Sequence, residues 1–163
     1  MANFDLILWR HAEAEDSNPN DPNNDLARRL TSKGHRQAQL MAKWINQHYP
    51  APLRILVSPA VRTQETAAAL HRPFSTCPEI APHVSVATLL KASSWPEKKT
   101  EEDLAILIVG HQPTLGALVA RLLIGRDEDW ALKKGSLCCL RQRQRFGQAQ
   151  TVLLAALAPE HLV

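Results

Sequence analysis

Two long apolar runs constrain this chain more than any other feature. Phe4-Asp5-Leu6-Ile7-Leu8-Trp9 opens it, and Leu104-Ala105-Ile106-Leu107-Ile108-Val109-Gly110 lies well past its middle. Runs without regular polar alternation read as strands buried on both faces. Such strands need helices above and below them, the arrangement of a parallel sheet in an α/β fold. Each run is followed by a histidine: Arg10-His11 after the first, His111 after the second. In open α/β sheets, ligands bind at the carboxyl ends of strands. An imidazole beside a guanidinium at that place suggests a nucleophile next to an anion clamp.

The remaining segments fit that frame. Glu13 to Leu30 is the longest polar connection, rich in Asn, Asp and Pro, and long loops of this kind often act as lids. Thr31 or Ser32 opens a helix in which Ala38, Leu40, Met41, Trp44 and Ile45 recur at helical spacing, ending near Tyr49-Pro50. Arg54-Ile55-Leu56-Val57 reads as another buried strand. Ser58-Pro59 then suits a helix start, with Ser at the cap and Pro in the first turn. Pro73 to Pro82 is bounded by prolines, and Val84 to Leu90 is ambiguous. Lys98 to Asp103 reads as a solvated charge run. Pro113-Thr114 begins a helix carrying Leu115, Leu118, Val119, Leu122 and Leu123. Ser136–Arg143 and Ala149–Leu157 read as strands with Phe146-Gly147 near the turn between them, a plausible hairpin. The expected fold is a three-layer α/β sandwich, its central sheet mainly parallel with antiparallel C-terminal edge strands.

A length of 163 residues favours one domain over residues 1–163. The 45% hydrophobic fraction supplies a core. No apolar stretch approaches a membrane span, and no basic segment precedes the first apolar run, so a cytoplasmic location is expected. A formal charge of +3 is too mild to imply nucleic acid. The alternating arginines of Leu140 to Arg145 suit the solvent side of a strand. Cys77, Cys138 and Cys139 lack metal-ligand spacing, and the adjacent pair would point to opposite faces of a strand as small packing residues.

The chemistry gathers at the strand ends. In Ser58-Pro59-Ala60-Val61-Arg62-Thr63-Gln64-Glu65-Thr66-Ala67, Arg62 lies about one turn into the helix, near enough to reach back to its amino end. Helix amino ends favour anions. A guanidinium grips two phosphate oxygens at once. Three strand ends thus converge, supplying Arg10, His11, Arg62 and His111, a set that fits a phosphoryl group. One histidine would attack phosphorus while the other donates to a phosphoryl oxygen.

Four segments in this order carry a resemblance: Arg10-His11-Ala12, Arg28 to Ala38, Ser58 to Ala67, and Gly110-His111-Gln112-Pro113. The pattern resembles the histidine phosphatase superfamily, and its size and details resemble the short SixA-type phosphohistidine phosphatases. The likeness covers residues 4 to about 125 well and the C-terminal strands loosely. It implies a phosphoglycerate-mutase-like fold and a phosphatase that needs no cofactor or metal. His11 would be the nucleophile, forming a covalent phosphohistidine. Arg10, Arg62 and His111 would bind the transferred phosphoryl, and Arg28 would line the pocket mouth, a role its neighbour Arg29 could also take.

Two departures matter. The family's Arg-His-Gly triplet is Arg10-His11-Ala12 here, which is harmless if the backbone is ordinary. Larger relatives also place a carboxylic acid near the leaving group, often in an inserted subdomain for which this chain is too short. Asp25 and Glu79 are the candidates, and Asp25, three residues before Arg28, matches a carboxylate of SixA-type proteins. An alkoxide leaves poorly unless protonated, whereas imidazole is a better leaving group, its conjugate acid having a pKa of about 6.5. The missing obvious acid favours phosphoramidates, above all phosphohistidine on a protein. The alternatives are a small-molecule phosphomonoesterase using the same pocket and a non-catalytic phosphate-binding or partner-docking module. The expected partner is a phosphorylated protein or small phosphorylated substrate, with neither nucleic acid nor membrane.

Overall fold

The computed structural model describes residues 3–97, 100–102 and 104–163. Six strands form one sheet in the order β3-β2-β4-β1-β5-β6. They are β1 (Asp5–Arg10), β2 (Arg54–Val57), β3 (Ser75–Thr76), β4 (Ala105–Gly110), β5 (Leu137–Arg145) and β6 (Gln148–Leu157). β1, β2, β3 and β4 run parallel, and β5 and β6 are antiparallel additions beside β1. Four helices flank the sheet: α1 (Ser32–His48), α2 (Val61–Ala68), α3 (Val86–Ser93) and α4 (Thr114–Ile124).

The continuous apolar runs become the buried middle strands. Every residue of β4 and all but the last of β1 are buried. Because side chains alternate along a strand, the two faces build two separate cores. Ile7, Trp9, Leu107 and Val109 pack on one side with Met41 and Ile45 of α1 and Ala67 of α2. Leu6, Leu8, Ile106 and Ile108 pack on the other with Leu89 of α3 and Leu115 and Leu118 of α4. This is the three-layer sandwich the sequence implied. Cys138 and Cys139 divide between the two cores, one on each face.

Local signals explain where the elements begin. Thr31 caps α1, its Oγ1 accepting from Gly34 N at 3.0 Å. Ala38, Met41, Ala42 and Ile45 are the buried stripe below that cap. Gly34 is required by contact, since a Cβ there would overlap the Glu13 carbonyl oxygen. Phe146 and Gly147 both have positive φ and form the two-residue turn between β5 and β6, the geometry favoured by the right-handed twist of a hairpin.

One reading is corrected by packing, and the open segments are filled in. α2 starts at Val61, with Ala60 rather than Ser58 at its cap. Trp95 is buried and donates its Nε1 hydrogen to Phe4 O at 2.9 Å. The ambiguous stretch after Pro82 contains α3, capped by Ser85, and the proline-bounded stretch before it carries the two-residue β3 and a 3-10 turn, Pro78–Ile80. Of the expected charge run, Lys98, Lys99 and Asp103 lie outside the described residues, while Glu101 and Glu102 are exposed.

Candidate active site

β1, β4 and β2 end on the same edge of the sheet, and the chain leaves them at Arg10-His11, Gly110-His111 and Val57-Ser58. Backbone bonds tie these exits together. His11 N donates to Gly110 O at 3.1 Å, and Ser58 N donates to Val109 O at 3.1 Å. The His11 and His111 rings lie with centroids 5.4 Å apart, tilted by 54°. Both histidines are buried, as are Ser58 and Arg62.

His11 is held by the main chain. Its Nδ1 lies 2.7 Å from Ala12 O. A carbonyl only accepts, so Nδ1 carries the hydrogen and Nε2 keeps the lone pair. Burial, with Arg62, Arg10 and Arg28 adding positive charge, pushes its pKa down to about 4 against the opposing pull of the Ala12 bond. His11 is therefore a neutral imidazole at neutral pH. Ala12 is not among the residues with positive φ. Its N–H donates to Thr66 Oγ1 at 3.1 Å, and that hydroxyl donates onward to Arg62 O at 2.6 Å. Thr66 of α2 thus links the backbone after His11 to the residue that carries the arginine.

Arg62 is held by a carboxylate from a distant segment. Its Nη1 donates to Asp25 O at 2.8 Å and its Nη2 to Asp25 Oδ2 at 3.2 Å. Asp25 belongs to a 3-10 turn, Pro22–Ala27, inside the long polar connection. Its other carboxylate oxygen accepts from Arg28 Nε at 2.9 Å, and Arg28 Nη1 donates to Glu15 O at 2.9 Å. Burial would raise the Asp25 pKa, but Arg62 and Arg28 outweigh it and hold the carboxyl below its usual range. Asp25 is ionised, with one guanidinium on each oxygen.

Arg10 donates through Nη1 to Leu132 O at 2.6 Å, and Gly135 N donates to His11 O at 2.9 Å. The segment before β5 therefore forms the wall beside both residues. Burial and the neighbouring Arg62 lower the Arg10 pKa. The Nε atoms of Arg10 and Arg62 are buried and find no acceptor among the described residues. Buried donors without acceptors are costly, and two such donors beside two neutral histidines suit a multiply charged oxyanion.

His111 completes the group. Its Nε2 lies 2.7 Å from Ser58 Oγ and its Nδ1 lies 3.4 Å from Arg62 Nη2. Burial, then Arg62, His11 and His83, push its pKa down to about 3, with Asp25 opposing. Glu79 is exposed and accepts from Cys77 Sγ at 3.1 Å. No contact joins Glu79 to His11, Arg10, Arg62 or His111 among the described residues. Arg29 is exposed, whereas Arg28 reaches Asp25. Trp9 is packing: its ring is fully buried and Nε1 donates to Gly135 O at 2.9 Å. His35, inside the Arg28 to Ala38 segment, faces Glu65 Oε2 at 3.3 Å on the surface. Among the described residues, no group of three His, Cys, Asp or Glu side chains is arranged to hold a metal ion.

Sequence reasoning missed the grip of Asp25 on Arg62, the link through Thr66, and the partnership of Ser58 with His111. Thr66 and Ser58 stood inside a quoted motif, yet their spacing carries no sign of what they bond.

Comparison with known proteins places the chain in a family. Residues 6–84 match the histidine phosphatase superfamily (branch 1). A phosphohistidine phosphatase SixA homolog of Haemophilus influenzae is 33% identical over 133 residues, covering 73% of this chain and 77% of its own. Phosphohistidine phosphatase SixA of Escherichia coli is 32% identical over 127 residues, covering 74% of each chain. The chain belongs to the histidine phosphatase superfamily. Solved structures share the superfamily fold along almost the whole chain. A SixA from Nakamurella multipartitia superposes with a TM-score of 0.78 at 24% identity, covering 98% of both chains. A SixA complexed with tungstate superposes with a TM-score of 0.72 at 23% identity, covering 98% of this chain and 99% of that one.

Proposed function

We propose that the protein is a phosphatase that hydrolyses phosphohistidine on a protein through a covalent intermediate at His11. The observation that carries this reading is the state of His11. It is buried and neutral, its Nδ1 hydrogen is committed to Ala12 O, and a bare Nε2 is left among two arginines and a second histidine. In the first step Nε2 attacks phosphorus in line. The bond from phosphorus to His11 forms as the bond to the substrate's imidazole breaks, and that ring, already protonated at its other nitrogen, leaves with the electron pair as neutral imidazole. In the second step water attacks phosphorus, the bond to His11 breaks, and inorganic phosphate is released. Arg10 and Arg62 hold the phosphoryl oxygens, whose charge grows in both transition states. His111 lines the same pocket.

The ionised state of Asp25 favours phosphoramidates over ordinary phosphate esters. A carboxylate held by Arg28 and Arg62 is a poor proton donor, and Glu79 bonds elsewhere. Imidazole needs a proton less than an alkoxide does. Asp25 is better understood as the residue that aims Arg62. The relatives named phosphohistidine phosphatases support the same choice of substrate.

The test is turnover of a phosphohistidine protein beside a phosphoserine peptide and a small phosphomonoester, with rapid quenching to trap phosphoenzyme. Phosphate on His11 during turnover of the phosphohistidine protein is expected. Preference for the monoester would favour the small-molecule reading, and absence of both turnover and phosphoenzyme would leave only a binding module.

A further inference from the structure

Ser58 has no place in the mechanism so far, although it is fully buried beside His111. It follows β2 and precedes the cap of α2, so its hydroxyl was expected to serve the helix. The helix instead begins three residues later. Thr63 Oγ1 donates to Ser58 O at 3.0 Å and to Ala60 O at 2.7 Å, and Gln64 Nε2 donates to Ser58 O at 2.7 Å. These bonds fix the Ser58 backbone. Its Oγ accepts from Ala60 N at 3.3 Å and faces His111 Nε2 at 2.7 Å.

The other edge of the His111 ring decides how that contact is polarised. Nδ1 lies 3.4 Å from Arg62 Nη2, and a guanidinium has only donors. Nδ1 must therefore accept. A neutral ring has one hydrogen, so it sits on Nε2 and is donated to Ser58 Oγ. From this we infer that Ser58 is a positioning residue that sets the tautomer of His111 in the ligand-free protein, keeping Nδ1 an acceptor for Arg62 rather than the donor to a phosphoryl oxygen that the sequence suggested. A serine hydroxyl suits the task because it accepts from His111 while occupying little volume.

The consequence concerns Arg62 as much as His111. Without an acceptor at Ser58, an Nε2 hydrogen would be buried and unpaired, a costly state. The ring would then move its hydrogen to Nδ1, where it would oppose the Arg62 donor. Two donors facing each other in a buried site push the guanidinium away from its place between Asp25 and the pocket. Ser58 thus acts on the phosphoryl clamp without touching the phosphoryl group. This inference rests on the assignment of the pocket to phosphoryl transfer for its kinetic consequence, but not for the tautomer itself.

The decisive measurement is nitrogen NMR of the imidazole rings in the ligand-free protein at neutral pH, with His111 assigned by its loss in His111→Gln. The expected spectrum has the His111 hydrogen on Nε2 and an unprotonated Nδ1. A hydrogen on Nδ1 would overturn the inference whatever the variants do. Ser58→Ala is expected to move the hydrogen to Nδ1 and to lower kcat/KM for the small substrate phosphoramidate about 10- to 30-fold, the scale of one lost hydrogen bond. Ser58→Thr, which keeps the hydroxyl, is expected to keep the tautomer and recover most of the rate. Loss of rate in Ser58→Ala with the tautomer unchanged would also overturn the inference, because the residue would then act some other way. If the wild-type protein hydrolyses neither phosphoramidate nor phosphohistidine, the proposed function fails while the spectrum still decides the tautomer.

Discussion

The two ends of β1 put buried charge to opposite uses. At its start, Asp5 is almost wholly buried and completely paired: Arg141 donates Nε to Oδ1 at 2.7 Å and Nη2 to Oδ2 at 2.9 Å, and Tyr49 OH donates to Oδ2 at 3.0 Å. At its other end, Arg10 and Arg62 lie close enough to lower the Arg10 pKa, each with a buried Nε that finds no acceptor among the described residues. The first end closes its electrostatic account within the chain. The second leaves a surplus of donors, which Asp25 and the Leu132 carbonyl offset in part. A strand of six residues therefore separates a charge arrangement that holds the fold from one that awaits an anion.

The largest effect expected from this contrast is at His11. His11→Ala should lower turnover of phosphohistidine by at least about a thousandfold, as for loss of a nucleophile. Its melting temperature should hold or rise, because a buried group crowded by cations is removed. Steady-state rates and a thermal melt on the same sample check both halves. Next comes Arg62→Ala, which should cost about 2–4 kcal/mol of transition-state stabilisation, read as kcat/KM. Arg62→Lys should recover only part of it, since an ammonium cannot bond the Asp25 carbonyl and carboxylate as a planar fork does.

The opposite end of β1 should answer in stability alone. Arg141→Ala leaves Asp5 with only Tyr49 and should cost about 1–3 kcal/mol in denaturant unfolding, less than for a wholly buried pair because Arg141 is partly solvated. Its kcat/KM should match wild type. A tenfold loss of activity there would break the separation of the two ends.

Acidity offers a subtler test. His11 and His111 have folded pKa values lowered to about 4 and about 3, whereas an unfolded histidine titrates near 6.5. Between those limits the unfolded chain binds protons that the folded chain refuses. Stability contributed by keeping both rings neutral is full above about pH 6.5 and is lost progressively as the pH falls toward 4. Activity should behave differently. The rate of the first step should stay level through pH 6 and decline only toward about pH 4, as His11 itself protonates. A midpoint near 6.5 in single-turnover kinetics would show that His11 is not as dehydrated as its burial implies.

The smallest effect is expected at Asp25. Asp25→Asn keeps the carbonyl contact to Arg62 and should slow phosphoramidate hydrolysis only a few-fold. A far larger loss confined to phosphoesters would restore Asp25 as an acid for those substrates.

How much of this was legible in the sequence follows from the range of each interaction. β1, β2, β4 and α1 were readable because continuous apolar runs and a helical stripe are local patterns. The hairpin was readable from Phe146-Gly147 and its flanking strands. β3, with two residues, has no pattern to read, and α3 is too short for its stripe to stand out. Nothing local shows that Phe4 O would meet the ring nitrogen of Trp95. In the site, Arg10, His11, Arg62 and His111 were legible because strand ends and a helix start place them. Asp25 reaches Arg62 across 37 positions, so spacing offered only the guess that it was an acid. The Leu132 and Gly135 contacts are made by backbone atoms, which no residue type advertises.

The bond from His11 to the Ala12 carbonyl has a consequence for how such a protein can change over generations. Any side chain at position 12 brings the same carbonyl, so no single substitution there erases the acceptor that orients His11. His111 enjoys no such protection: its partner is the hydroxyl of Ser58, which one codon change can delete. The orientation of His11 is thus inherited with the fold, while that of His111 stays open to mutation. Drift toward a binding-only descendant would be expected to begin on the side of Ser58 and His111, with the geometry around His11 surviving longest.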